Sequence, residues 1–99
     1  GPLTLQMIKQ FNFDHAFFST NGVSLKTGEV NIFEFSIGAV KREIMKRSLN
    51  NHLLIDDSKF GVKALCTWAN TDEFNTVYVN DFKHDLELPD NYYLCYEDK

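Results

Sequence analysis

Cysteine, proline and glycine are scarce in this 99-residue chain, at two, two and five residues. Cys66 and Cys95 lie far apart and neither belongs to a C-x-x-C or Cys-His pattern, so the sequence carries no disulfide framework and no thiolate metal cage. Two free thiols in a reducing compartment are the expectation. Histidine is equally dispersed: His15, His52 and His84 fall on three segments, which leaves a zinc site without a sequence signal. Basic charge is short as well. Ten Lys and Arg face 14 Asp and Glu, a net charge of −4, opposite in sign to a surface built to neutralise nucleic-acid phosphates. The one local basic cluster, Lys41-Arg42-Glu43-Ile44-Met45-Lys46-Arg47, reads at helical spacing as a solvated helix face. No stretch approaches the roughly 18 consecutive apolar residues of a membrane span, and the N-terminus lacks the charged start and apolar core of a signal peptide. An intracellular protein is expected. There is also no Ser/His/Asp arrangement, nucleophile elbow or Walker-type glycine loop, so neither catalysis nor a cofactor has a positive signal. Gly1-Pro2, without an initiator Met, reads as the remnant of a cleaved purification tag, and the chain as an excised piece of a longer one.

What the chain does have is apolar and aromatic residues, 43% and 14%, enough for the core of one small globular domain. Leu3, Leu5, Met7, Ile8 and Phe11 recur at helical spacing and predict a short helix, which Phe13-Asp14 should break. The run from His15 to Thr20 predicts a buried strand, turned at its tip by Asn21-Gly22, with a polar loop following around Gly28. Between Phe33 and Leu49 the residues Phe33, Ile37, Val40 and Ile44 recur at helical spacing, while Lys41, Arg42, Glu43, Lys46 and Arg47 fill the other side: an amphipathic helix. Gly38 within it marks either a close approach to a neighbouring backbone or a tolerated defect. Asn50-Asn51 should end the helix, and His52-Leu53-Leu54-Ile55 supplies a second strand. Downstream, Val62 to Ala69 reads as a short helix or an extended segment, and Asp72-Glu73-Phe74 as one helical turn. Thr76-Val77-Tyr78-Val79 is a third strand. Tyr92 to Tyr96, after a turn at Pro89-Asp90-Asn91, is the last, with Glu97-Asp98-Lys99 as a polar terminus.

Continuous apolar runs mark strands covered on both faces, and a crossover helix between two of them implies parallel pairing. Asn21-Gly22 and Asp56-Asp57-Ser58-Lys59 then share the carboxyl edge of the sheet, where open α/β sheets bind ligands. Lys59 there either meets a phosphate or sugar oxygen or is an ordinary surface lysine. Asp56 accepts hydrogen bonds from ligand hydroxyls, or forms an Asx turn onto the backbone of Ser58. Asn21-Gly22 brings backbone amides near an anion, or is a tight turn only. Phe60 walls a pocket or joins the core. Glu34 reads as a base, or as the acidic residue that a helix start favours.

Three blocks read together resemble the effector-sensing domain of DeoR-family transcriptional repressors: Asp14-His15-Ala16-Phe17-Phe18-Ser19-Thr20-Asn21-Gly22-Val23-Ser24, then Gly38-Ala39-Val40-Lys41-Arg42, then Leu54-Ile55-Asp56-Asp57-Ser58-Lys59-Phe60-Gly61. The resemblance runs from about Asp14 to Asp81, and the Asp-x-Ser-Lys-Phe-Gly block is its most specific part. It implies a fold similar to ribose-5-phosphate isomerase and glucosamine-6-phosphate deaminase, and binding of phosphorylated sugars without turnover. It also implies a cytoplasmic protein that reaches operator DNA through an N-terminal winged helix-turn-helix domain. This sequence contains neither that domain nor the family's Gly-Thr-Thr-type phosphate loop, so residues 1–99 resemble the C-terminal part of the sensor domain. Carried over, Asn21 and Gly22 line the effector cleft, Lys41 sits on the neighbouring helix, and Asp56 and Lys59 contact the ligand. Ser19-Thr20 stands where the family has a small Gly-Ala pair, and Asn31-Ile32 where it commonly has Thr-Thr.

The expectation is therefore an α/β fold, a mainly parallel sheet with crossover helices forming a partial, sugar-phosphate isomerase-like sensor domain. Its function would be regulation by a phosphorylated sugar, as part of a homo-oligomeric repressor of sugar-metabolism genes. Two rival readings are a fragment of a sugar-phosphate isomerase or deaminase, and an oligomerisation module in which bare apolar surface pairs with another copy.

Overall fold

The apolar runs form four parallel strands, β1 (Phe13–Phe18), β4 (Ser48–Asp56), β6 (Thr76–Asn80) and β7 (Tyr92–Cys95), in the order β1-β4-β6-β7. The computed structural model describes residues 2–96; the polar terminus expected at 97–99 lies outside them. The register pairs Phe17 with His52, Leu53 with Val77 and Val79 with Leu94. Successive side chains alternate faces, so Ala16, Phe18, Leu53, Ile55, Val77 and Val79 all enter one core. The α/β class and the parallel pairing are as expected.

A second, antiparallel sheet of β2 (Gly22–Val23), β3 (Glu29–Ile32) and β5 (Cys66–Asn70), ordered β2-β3-β5, was not expected. The segment around Gly28 is the hairpin turn between β2 and β3, not an open loop. Gly28 holds φ at +79°, and its N–H donates to the Ser24 carbonyl at 2.8 Å. A Cβ there would also lie 2.6 Å from Asn70 Oδ1, so glycine answers both backbone and space. Asn21-Gly22 correspondingly forms a bend leading into β2 rather than a tight turn at a strand tip. Of the two readings for Val62 to Ala69, the extended one holds, as β5.

Helix α1 covers Pro2–Ile8 and lies against α2 (Phe35–Lys46), which itself packs on β5 and β3 of the small sheet and on β1 and β4 of the large one. The amphipathic helix is thus real but shorter than expected. Phe33 precedes it, exposed, and Leu49 lies in β4, 77% exposed. Gly38 faces side chains, not backbone: a Cβ would come 3.3 Å from Ile32 Cγ2 and 3.4 Å from Trp68 Cβ. Asn50 and Asn51 belong to β4 rather than to a helix stop. Asn51 still serves the helix end, because its Nδ2 donates to the Met45 carbonyl at 3.2 Å, while Ser48 Oγ donates to the Ile44 carbonyl at 2.7 Å. Both satisfy carbonyls that a terminating helix leaves without partners. Phe13-Asp14 does not merely break α1 but opens β1, with the Phe13 N–H donating to the Arg47 carbonyl at 2.9 Å.

The helical turn expected at Asp72-Glu73-Phe74 is a 3-10 turn over Thr71–Glu73, closed by Asn70, whose Oδ1 accepts from the Asp72 N–H, and by Glu73, whose Oε1 accepts from the Asn70 N–H. Between the sheets Phe18, Trp68 and Phe74 form an aromatic triad with centroids 5.5 to 6.1 Å apart, in tilted and edge-on arrangements. No helix among the described residues is long and apolar enough to cross a membrane.

Candidate functional site

Parallel pairing brings the segments after β1 and β4 to the same sheet edge. After β1, Ser19, Thr20 and Asn21 meet Phe33, Glu34 and Lys41 around a cleft of about 490 Å³. Lys41 comes from α2. Its ammonium donates to the Ser19 carbonyl and stands 5.4 Å from the centre of the Trp68 ring. Burial lowers the Lys41 pKa from the ordinary amine value, because the charged form loses water. A partly desolvated cation beside an open cleft attracts an incoming anion more strongly than a solvated one does.

The floor of the cleft is held by buried Thr20 and Asn31 and by half-buried Asn21. Thr20 Oγ1 donates to the Asn31 carbonyl at 2.6 Å and accepts the Trp68 indole N–H at 3.1 Å. Asn21 donates its backbone N–H to the same Asn31 carbonyl at 3.2 Å, and its Oδ1 accepts the Phe33 N–H at 3.1 Å. Thr20 in place of a smaller residue therefore links the end of β1 to β3 and β5.

Gly22 is buried in β2 and does not line this cleft. A Cβ on it would lie 1.9 Å from the Val62 carbonyl oxygen, and this close approach alone accounts for a glycine there. Asp56 caps the 3-10 turn Asp57–Lys59: its Oδ1 accepts the Ser58 N–H at 2.8 Å and the Ser58 hydroxyl. The Asx-turn reading of Asp56 is the one the geometry adopts. These two hydrogen bonds, with help from the Lys59 charge, hold the Asp56 carboxyl below its ordinary pKa. Lys59 is half-buried at the same edge and forms no ion pair among the described residues. Asp57 is engaged otherwise, accepting the Lys83 N–H at 3.0 Å and lying 3.2 Å from His84 Nε2. The structure thus brings Asn21 and Lys41 into one cleft and leaves Gly22, Asp56 and Lys59 outside its wall. Phe60 packs edge-on against Phe82 and His84, and also lines a second cleft of about 480 Å³ between the β2–β3 hairpin and the segment after Lys59.

One residue that sequence reasoning did not single out for this role joins the two edge segments. While the Asn31 carbonyl grips Thr20 and Asn21, its side chain donates to the Val62 carbonyl at 3.2 Å and accepts the Ala64 N–H at 2.8 Å. Gly61 adds a backbone bond to the Val23 carbonyl at 3.1 Å, beside a bridge between Val23 and Phe60. Among the described residues no group of three or more His, Cys, Asp or Glu side chains is placed to hold a metal.

A family model described as the DeoR C terminal sensor domain matches residues 1–81, and the chain belongs to this family of transcription-regulator sensor domains. It is similar to the L-fucose operon activator of Haemophilus influenzae, 33% identical over 93 residues, 92% of this chain and 34% of that protein. It is also similar to the lactose phosphotransferase system repressor of Staphylococcus epidermidis, 32% identical over 87 residues, 88% of this chain and 33% of that protein. A putative sgc region transcriptional regulator of Escherichia coli is 43% identical over 58 residues, 59% of this chain and 22% of that protein. The chain spans about a third of the length of the first and second of these relatives.

Proposed function

We propose that residues 1–99 are the C-terminal part of the effector-sensing domain of a cytoplasmic, homo-oligomeric DeoR-type repressor of sugar-metabolism genes, and that its effector is a phosphorylated sugar. The observation that carries this reading is Lys41, whose partly desolvated ammonium faces an open cleft next to Asn21 and Glu34. A sugar phosphate matches that arrangement: the anion takes the ammonium, and hydroxyls take the amide and the carboxylate. Asp56 and Lys59 are proposed to close on the ligand from the neighbouring strand end, and Gly22 to let the hairpin backbone approach. The relatives support the metabolic assignment, since one is named for an L-fucose operon and another for a lactose phosphotransferase system.

In this reading the domain performs no turnover. Operator DNA is contacted by a separate DNA-binding domain, in keeping with the acidic balance of this segment. The ligand biases operator affinity by the difference in its affinity for two arrangements of the protein, and operator binding biases ligand affinity by the same factor. The test is thermal unfolding of the full-length regulator against a panel of phosphorylated sugars and their unphosphorylated parents. The expected result is an upward shift with one phosphorylated sugar, absent with its parent and diminished in Lys41→Ala and Lys59→Ala. No shift with any sugar phosphate would remove the reading.

A further inference from the structure

The cleft beside Asn21 holds one charge of each sign. Lys41 is its basic side chain, Glu34 its acidic one, and the other lining residues are neutral. Glu34 is the N-cap residue of α2, with extended backbone at φ −107° and ψ 115°, yet its side chain makes no capping hydrogen bond. Ser, Thr, Asp and Asn are preferred at that position because their short side chains reach the first free N–H groups of the helix. Glu34 forgoes that bond. Its carboxylate is exposed and joins no ion pair among the described residues, so it is available to a ligand.

Helix geometry sets how the two charges stand. Positions 34, 37 and 41 follow the i, i+3, i+7 spacing of one helix face, so Glu34 and Lys41 lie about 10 Å apart along α2, with Ile37 between them. Ile37 is 41% exposed and Phe33, which lines the same cleft, 56%. These two offer apolar contact to the C–H face of a sugar ring, between a place for an anion and a place for a cation. Asn21 has engaged its Oδ1 with the Phe33 N–H, which leaves its Nδ2 as a donor to ligand oxygens. A phosphorylated sugar with hydroxyls alone brings only negative charge, attractive to Lys41 and repulsive to Glu34. One that carries an ammonium in place of a hydroxyl answers both ends of the cleft, and the carboxylate then selects against its neutral counterparts.

We infer, resting on the phosphorylated-sugar reading of this cleft and narrowing it, that the effector is a phosphorylated amino sugar with its amine free and protonated, the phosphate on Lys41 and the ammonium on Glu34. The probes are glucosamine, galactosamine and mannosamine 6-phosphates, each beside its N-acetyl derivative and the corresponding neutral hexose 6-phosphate, titrated into the full-length regulator by calorimetry. One amine form is expected to bind about five- to tenfold tighter than both of its counterparts. Glu34→Gln should bring the three to near equality, weakening the amine form and strengthening the neutral one, whereas Lys41→Ala should weaken all three alike. The preference should also decline as the pH rises and the sugar amine loses its proton, in the native protein and not in Glu34→Gln. A neutral or N-acetylated sugar phosphate that binds as tightly as every amine form overturns the inference and leaves the phosphorylated-sugar reading standing. So does a preference for the amine that survives Glu34→Gln, since the α2 dipole, which favours an acid at its start, would then be the whole reason for Glu34. Binding by no phosphorylated sugar at all removes the reading beneath it as well.

Discussion

The Lys41 ammonium on α2 stands over the ring of Trp68 on β5, 5.4 Å from its centre. Such a pair is worth about 0.5–1 kcal/mol where water still reaches it. Trp68 is the only tryptophan in the chain, so an anion that draws Lys41 off the ring reports itself through one fluorophore. A sugar phosphate bound in the cleft is expected to change the tryptophan emission, and Lys41→Ala to weaken that titration about tenfold or more, since charge-assisted hydrogen bonds carry about 1.5–3 kcal/mol. An unchanged midpoint in the variant would take Lys41 out of the site.

Gly22 and Gly61 are expected to respond differently to alanine. At Gly22 the added methyl meets the Val62 carbonyl, and overpacking of this kind costs about 1–3 kcal/mol, with more where backbone must move. At Gly61 nothing lies within 4 Å, so only the φ of +83° is penalised, at about 1–2 kcal/mol. Urea unfolding should rank Gly22→Ala below Gly61→Ala in stability; the reverse order would mean that the hairpin is not seated on Val62.

Asn31→Ala removes both side-chain bonds to the segment after Lys59 and leaves the Val62 carbonyl and the Ala64 N–H without them. Unsatisfied groups of this kind cost about 1–3 kcal/mol each when buried. The variant should unfold at lower urea and exchange the Ala64 amide faster, whereas Thr27→Ala, on the exposed hairpin turn, should do neither.

Two pH windows are expected in the stability curve. Burial first, and the charge of His15 second, lower the His52 pKa, so protonation is easier in the unfolded chain. Stability is then complete above the ordinary imidazole value of 6.5 and declines as the pH falls through it toward the folded value. His52 Nδ1 is buried without a partner, so His52→Phe should flatten this window. The second window belongs to Glu73, whose carboxyl is held low by the Arg42 hydrogen bond at 2.6 Å. That contribution is present above the ordinary carboxylate range and is lost as the pH falls through the folded value. Both side chains are more than a third exposed, so screening keeps it below about 1 kcal/mol. Arg42→Gln should shrink the second window, to which the lowered Asp56 carboxyl also contributes, and spare the first.

The large sheet was legible because its strands are continuous apolar runs such as His52-Leu53-Leu54-Ile55, although only one face of them is covered and Leu54 is exposed; α2 was legible from its amphipathic spacing. The small sheet was not. β2 is two residues long, and the alternation Glu29-Val30-Asn31-Ile32 in β3 lasts only four residues and buries the polar Asn31, so neither gives a sustained strand signal. The boundaries of α2 shifted because Phe33 and Leu49 continue the helical spacing while staying exposed. At the cleft, Lys41 was reached through family resemblance, and Asp56 matched the turn alternative that residue chemistry had left open. Asn31 and Trp68 act through partners more than thirty positions away, which local pattern does not encode.

Asn31 also sets what a mutational map of this domain will look like. Its carbonyl and its amide belong to different neighbourhoods, the first to the chain leaving β1 and the second to the chain leaving β4. Substitutions that blunt the effector response should therefore fall into two sequence clusters with one shared phenotype, and a suppressor of a lesion in either cluster should be recoverable from the other.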